Sequence, residues 1–151
     1  MTSGQARSNT ARPKLLWFTA VRAPFLTTTV LAVLLGLAGA FADGIVIDAP
    51  RAVLTLLGAL LAHAGANVIN DYHDRATDAA NGDALRPFSG GSGLIQDGRL
   101  TPRQAACGGY GLLAGAALIG AALALTGRPQ LWVIGAFGLL LAIAYSAPPL
   151  R

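Results

Sequence analysis

Four apolar stretches, each near the length that a helix needs to cross a bilayer, roughly 20 residues, occupy most of the chain. They lie at about residues 24–42, 52–70, 105–126 and 131–147. A backbone in lipid must satisfy its own hydrogen bonds, so only helices and closed barrels cross a membrane, and stretches of this length fit helices. The sequence therefore predicts an all-α fold, a polytopic transmembrane bundle of four spans. A content of 54% hydrophobic and 12% charged residues agrees with this class.

The remaining composition excludes several function classes. The single cysteine, Cys107, cannot form an internal disulfide, a four-cysteine zinc site or an iron–sulfur cluster. The net charge is +4, but the basic residues are scattered singly, so nucleic acid is not an expected partner. Residues 1–11 predict a disordered tail. A cleavable signal peptide is the alternative for the N-terminal region, and Arg22 within the apolar region and the later spans oppose it.

The distribution of basic residues predicts the orientation of the spans. Of the 11 Lys and Arg residues, only Arg51 and Arg128 fall on the side opposite the N terminus. Because Lys and Arg accumulate in cytoplasmic loops, we expect the N-terminal tail, the 71–104 connection and the C terminus to be cytoplasmic.

Small residues recur at helical spacing in two of the spans. Gly58, Ala62 and Ala66 follow one another every four residues, and Gly111 and Gly115 form a GxxxG pattern. Such spacings allow close approach of helices in lipid. They weakly favour a tightly packed bundle.

Six polar side chains gather at the end of the second span, where a purely structural membrane helix would avoid them. With about 100° per residue, all six fall within one sector of roughly 100°. Three carboxylates on one face repel each other or require a cation. Oxygen ligands favour a hard ion, and Mg²⁺ typically joins one or two carboxylates to phosphate oxygens. A solvated helix end is the alternative, but acidic residues at a helix C terminus oppose the macrodipole. The six are His63, Asn67, Asn70, Asp71, Asp74 and Asp78.

The stretch from Asn70 to Asp78, NDYHDRATD, resembles the NDxxDxxxD motif of the UbiA superfamily of intramembrane prenyltransferases. Residues 86–93, RPFSGGSG, with 94–103 after them, resemble the loop of the branch that prenylates 1,4-dihydroxy-2-naphthoate in menaquinone biosynthesis. Further similar positions are Trp17, Arg22, residues 25–27 and residues 145–151.

This resemblance implies transfer of a polyprenyl group from a prenyl diphosphate to an aromatic acceptor, in a bacterial-type inner (plasma) membrane. The prenyl tail would lie in an apolar cavity open to the bilayer. Asp71, Asp74 and Asp78 would be catalytic. The residues expected to hold Mg²⁺ are Asn70, Asp71, Asp74 and Asp78. The residues expected to bind substrate are Asn67, Asn70, Arg22, Arg86 and Tyr145.

Several of these residues have plainer alternatives. Arg22 could snorkel to lipid headgroups, and Arg86 could face headgroups instead of a phosphate. Tyr145 could be an interfacial aromatic anchor. His63 could form a hydrogen bond within the bundle or take part in acceptor binding or proton transfer.

The family's architecture consists of two similar halves, each with an Asp-rich motif. Residues 12–151 resemble the N-terminal half, so the C-terminal half of the bundle is an expected missing partner, and the chain alone is not expected to be competent. Two alternatives stay open. One is another branch of the superfamily, acting on hydroxybenzoate, homogentisate or a tetrapyrrole. The other is a non-catalytic four-span protein that retains a diphosphate-binding cluster.

Overall fold

The computed structural model describes residues 13–81, 91–126 and 128–145, and every regular element in these ranges is helical. The predicted tail, Arg86 and the residues after Tyr145 lie outside the described residues. The elements, in chain order, are α1 (Pro13–Ala20), a 3-10 turn (Ala23–Phe25), α2 (Leu26–Ala42), α3 (Ala49–Asn81), α4 (Pro102–Ala124) and α5 (Gln130–Ala144). The predicted all-α helix bundle is confirmed.

Within the described ranges, three helices are long and apolar enough to cross a membrane, and they match the first three predicted spans. The second is longer than predicted, because α3 has 33 residues and continues past residue 70 to Asn81. The fourth prediction is met only in part. α5 lies where it was expected, but its 15 residues fall short of the roughly 20 needed to span a bilayer.

The starts of α3 and α4 have clear local causes. The Asp48 carboxylate accepts the backbone N–H of Arg51 at 2.9 Å, which caps α3. Thr101 and Gln104 form a capping box in which each side chain binds the other residue's backbone N–H, and Pro102 occupies the first turn. Both arrangements satisfy N–H groups that have no partner within the helix.

The α3–α4 pair forms the centre of the bundle and is packed backbone against backbone. A Cβ built on Gly109 would lie 2.7 Å from Ile69 Cγ1, and one built on Gly65 would lie 3.0 Å from the Gly109 carbonyl oxygen. The expectation of close packing through small residues is met, but the residues differ. Gly65 and Gly109 form the crossing, whereas a Cβ on Gly111 would meet nothing within 4 Å.

The buried apolar cluster lies at one end of this pair, where Asn70 to Asp78 lie; we call it the motif end. The cluster joins α1, α3, α4 and the connection before α4. Its members are Ala20, Val68, Leu94, Leu100 and Ala105.

α2 and α5 have a different character, since neither contains a buried residue. Large apolar side chains such as Leu35, which is 75% exposed, cover their surfaces. Apolar surface of this extent is typical of helices that face lipid. The chain is accordingly an integral membrane protein.

Candidate functional site at the motif end

Asp71 is the buried acidic residue of the motif end, with 6% of its surface exposed. Arg22 Nη2 donates to Asp71 Oδ1 at 2.7 Å. The backbone N–H of Ser92 donates to both carboxylate oxygens at 3.1 Å. We call this arrangement the Asp71 clamp. It neutralises one of the three clustered carboxylates with a side chain of the protein itself.

The turn between α1 and the 3-10 element presents Arg22 to α3. Arg22 has φ 51° and ψ 52°, the left-handed region, which disfavours residues with a Cβ. One turn before Asp71, the Asn67 side chain Nδ2 donates to the Val21 carbonyl at 2.9 Å. Two adjacent residues of the turn are therefore held by two positions on the same face of α3.

The described part of the connection before α4 begins between two carboxylates. A Cβ built on Gly91 would lie 2.7 Å from Asp78 Oδ2 and 3.2 Å from Asp71 Oδ1. Only glycine allows the backbone to approach both acids so closely. The structure therefore brings Arg22, Asn67, Asp71 and Asp78 into one polar region.

Asn70 and Asp74 are four residues apart on the unbroken α3 helix, so they share a face. Both are half-buried, and neither is without an interaction partner. Among the described residues no three His, Cys, Asp or Glu side chains are grouped closely enough to hold a metal ion. The oxygen donors present fit an ion shared with phosphate, as Mg²⁺ commonly is, rather than an ion in an all-protein cage. The predicted metal ligands stay a prediction.

Two further predicted positions have different outcomes. His63 Nδ1 is joined to Thr29 Oγ1 by a hydrogen bond of 2.7 Å between α3 and α2, which favours its role in the bundle. Tyr145 ends α5 with 82% of its surface exposed. Among the described residues its side chain has no hydrogen bond and no ring contact, so its contact with substrate stays a prediction.

Sequence reasoning placed Gly91 and Ser92 in the 86–93 stretch but foresaw neither contact with the motif carboxylates, and it missed Tyr110. Ser92 acts through its backbone N–H, which no residue type signals. Tyr110 of α4 forms a hydrogen bond of 3.1 Å between its hydroxyl and His73 Nε2. This pair could be found only by knowing which residues of the Gly-rich α4 lie opposite His73 of α3.

An apolar cavity of about 750 Å³ lies between α3, α4 and α5 on the far side of the Gly65–Gly109 crossing. Its volume is within the roughly 300–1,000 Å³ of small-molecule sites. Arg51 and Arg128 lie at the end distant from the motif. The α3 part of its lining, which includes Gly58, Ala59 and Ala62, precedes Asn70 by roughly 12–18 Å along the helix axis. Most of these residues lie roughly 60–160° from Asn70 around that axis, on the side away from the motif carboxylates, so the cavity wall and the motif occupy different sectors and different halves of α3.

Comparison with known proteins gives one match. The sequence model of the UbiA prenyltransferase family matches residues 16–151. No curated protein and no solved structure matches the chain.

Proposed function

The chain belongs to the UbiA prenyltransferase family, and we propose that it serves the transfer of a polyprenyl group from a prenyl diphosphate to an aromatic acceptor. The observation that carries this proposal is the layout of α3. Its motif end has the carboxylates and amides that suit a charged headgroup, and its other half lines an apolar cavity that suits a hydrocarbon tail. A prenyl diphosphate likewise has a charged diphosphate at one end and an apolar chain along the rest of its length.

The diphosphate belongs at the motif end, with Asn70, Asp74 and Asp78 holding Mg²⁺ against it. Asp71, the fourth predicted ligand, is already bound by Arg22 and by the Ser92 N–H. Bound there, the ion would offset the negative charge that grows on the departing diphosphate. The carboxylates cannot bind diphosphate without such a cation, because like charges repel. Of the other positions expected to contact substrate, Arg86 and Tyr145 are proposed to complete the site, whereas Arg22 and Asn67 contact Asp71 and the Val21 carbonyl.

The apolar cavity is proposed to hold the prenyl tail and to keep water from the reacting carbon. Small side chains of α3 such as Gly58, Ala59 and Ala62 leave the space in which a tail can lie. A dry wall protects a reactive allylic group from hydrolysis. Its apolar lining also extends to α5, whose outer surface faces lipid, so a tail can enter from the bilayer.

The proposed acceptor is 1,4-dihydroxy-2-naphthoate, which would place the chain in menaquinone biosynthesis. The support is the resemblance of residues 86–93 and of the connection that follows. The acceptor would reach the motif end from the side of the N terminus, the proposed cytoplasmic side of a bacterial-type inner membrane.

The deciding measurement is prenyl transfer in detergent with Mg²⁺, for this chain and for a version extended through any downstream coding sequence. The acceptors are 1,4-dihydroxy-2-naphthoate, 4-hydroxybenzoate, homogentisate and a tetrapyrrole. We expect product from the naphthoate with the extended version. Product from another acceptor alone would replace the proposed branch, and binding of prenyl diphosphate without any product would indicate a non-catalytic protein.

The proposed orientation is tested by labelling single cysteines in a Cys107→Ser background. Probes at Ser8 and Gly90 should react from one side of the membrane, and a probe at Val46, which is 92% exposed, should react from the other. Reaction of all three from the same side would contradict the orientation.

A further inference from the structure

We infer that Asp71 is a positioning residue and not a metal ligand: it fastens the α1–α2 turn and the connection before α4 onto α3. The inference deepens the proposed function and rests on it for the roles of the neighbouring acids. It separates Asp71, whose carboxylate holds segments of the site together, from the carboxylates that are proposed to bind the metal and the diphosphate.

The first argument is that the Asp71 carboxylate is already neutralised and almost fully buried. Its two oxygens accept the Ser92 N–H at 3.1 Å each, and Oδ1 also accepts Arg22 Nη2 at 2.7 Å. With 6% of the residue exposed, little of the carboxylate is open to an ion, and a metal bound to Oδ1 would have to displace Arg22. Breaking a buried charge pair leaves an uncompensated charge and is strongly unfavourable.

The second argument is that neighbouring contacts present Arg22 to Asp71. Asn67 holds the Val21 carbonyl at 2.9 Å, and Ala20 is fully buried in the cluster that includes Val68 and Leu94. The left-handed backbone of Arg22 directs its side chain toward α3 at a conformational cost. These contacts hold the guanidinium against Asp71, to which it donates through Nη2.

The third argument is that the Asp71 contacts join segments far apart in the chain. Arg22 is 49 residues before Asp71, and Ser92 is 21 residues after it. Gly91 fits between Asp71 and Asp78 only because it has no side chain. Loss of the Asp71 charge should therefore loosen α1 and the 91–101 connection together.

The test uses this chain in detergent with chelator and without substrate, so that neither metal nor turnover contributes. Hydrogen exchange of residues 15–25 and 91–101 is measured for Asp71→Asn, Arg22→Met and the double variant. We expect about tenfold faster exchange in both segments for Asp71→Asn, and in residues 15–25 for Arg22→Met. The double variant should be no faster than Asp71→Asn, because Asp71→Asn already removes the ion pair with Arg22. Asp97→Asn, which removes an exposed carboxylate from the same connection, is the matched control and should not change exchange.

A second measurement separates positioning from ligation. Binding of Mn²⁺ in the presence of inorganic diphosphate, followed by electron paramagnetic resonance, should weaken at least tenfold for Asp74→Asn and by about twofold or less for Arg22→Lys. Arg22→Lys keeps the charge and should also retain most of the protection, which covers the case in which Asp71→Asn does not fold.

Unchanged exchange in Asp71→Asn, or additive effects in the double variant, would overturn the inference. So would tenfold weaker Mn²⁺ binding in Asp71→Asn with its exchange unchanged. If neither this chain nor its extended version binds Mn²⁺ with diphosphate, the proposed function fails. The exchange measured with chelator still decides the role of Asp71.

Discussion

The two halves of α3 differ in what holds their surroundings in place. Around Asn67–Asn81, hydrogen bonds and an ion pair fasten neighbouring segments to the helix. Around Ala49–Ala62, small side chains leave a cavity instead of contacts. The Gly65–Gly109 crossing separates the halves. The difference indicates that one helix can be firmly packed where it positions charged groups and loosely packed where it leaves space for a tail.

The largest effect on activity should come from the acids that are proposed to hold Mg²⁺ against the diphosphate. Asp74→Asn should lower prenyl transfer by about 100-fold or more, because a carboxylate that stabilises the departing charge through the metal is lost. Transfer by an active, extended version is the measurement, and membrane insertion should be unchanged. Asp97→Asn is the control. Near wild-type transfer by Asp74→Asn would contradict the proposal that the motif end of α3 binds the metal and the diphosphate.

The crossing that separates the halves should be intolerant of a single methyl group. Gly109→Ala places a Cβ 2.7 Å from Ile69 Cγ1 and 3.1 Å from the Ile69 backbone nitrogen, so we expect destabilisation by about 1–3 kcal/mol. Denaturant unfolding in mixed micelles measures it. Gly111→Ala, on the same helix with open space around it, is the matched control. Equal stability of the two variants would contradict the observed packing.

Filling the cavity should affect the tail and spare the headgroup. Ala62→Phe is expected to weaken binding of a long-chain prenyl diphosphate about tenfold, since several methylene-sized contacts are blocked. Binding of inorganic diphosphate should not change. Leu35→Phe, at a position on α2 that is 75% exposed, controls for added aromatic bulk. Equal loss for both ligands would show that the halves are not independent.

The smallest effect should come from the edge of the motif end. Tyr110→Phe removes the hydroxyl bonded to His73. Because this pair is exposed, the loss of unfolding free energy should be below about 1 kcal/mol. Tyr145→Phe, whose hydroxyl has no hydrogen bond among the described residues, should leave the free energy of unfolding unchanged. A loss from Tyr110→Phe above that of Gly109→Ala would mean that the polar edge, not the crossing, fixes the α3–α4 pair.

Hydropathy and helical periodicity predicted the class of fold and the approximate place of each span, because both are local properties of the sequence. The end of α3 was harder to predict. Polar residues after Asn70 lower the hydropathy, so the span ended there, whereas backbone hydrogen bonding carries the same helix to Asn81. The capping box at Thr101 and Gln104 was readable in the sequence and would have fixed the start of α4.

The site was predictable only in part for a related reason. The shared face of Asn67, Asn70 and Asp74 follows from helical geometry alone. The pairing of Arg22 with Asp71 depends on how α1 packs against α3, and the part played by Ser92 depends on a backbone N–H. Neither leaves a local pattern, so a surface role for Arg22 was as reasonable as any other from the sequence.

The left-handed backbone of Arg22 also has a consequence for covariation among related sequences. Glycine or asparagine would suit φ 51° better, so selection for the turn alone should replace the arginine. Its retention would then depend on an acid at the position of Asp71. In a collection of family members, position 22 should vary toward glycine wherever position 71 is no longer acidic, and a statistical coupling between the two columns would report the clamp without any protein being made.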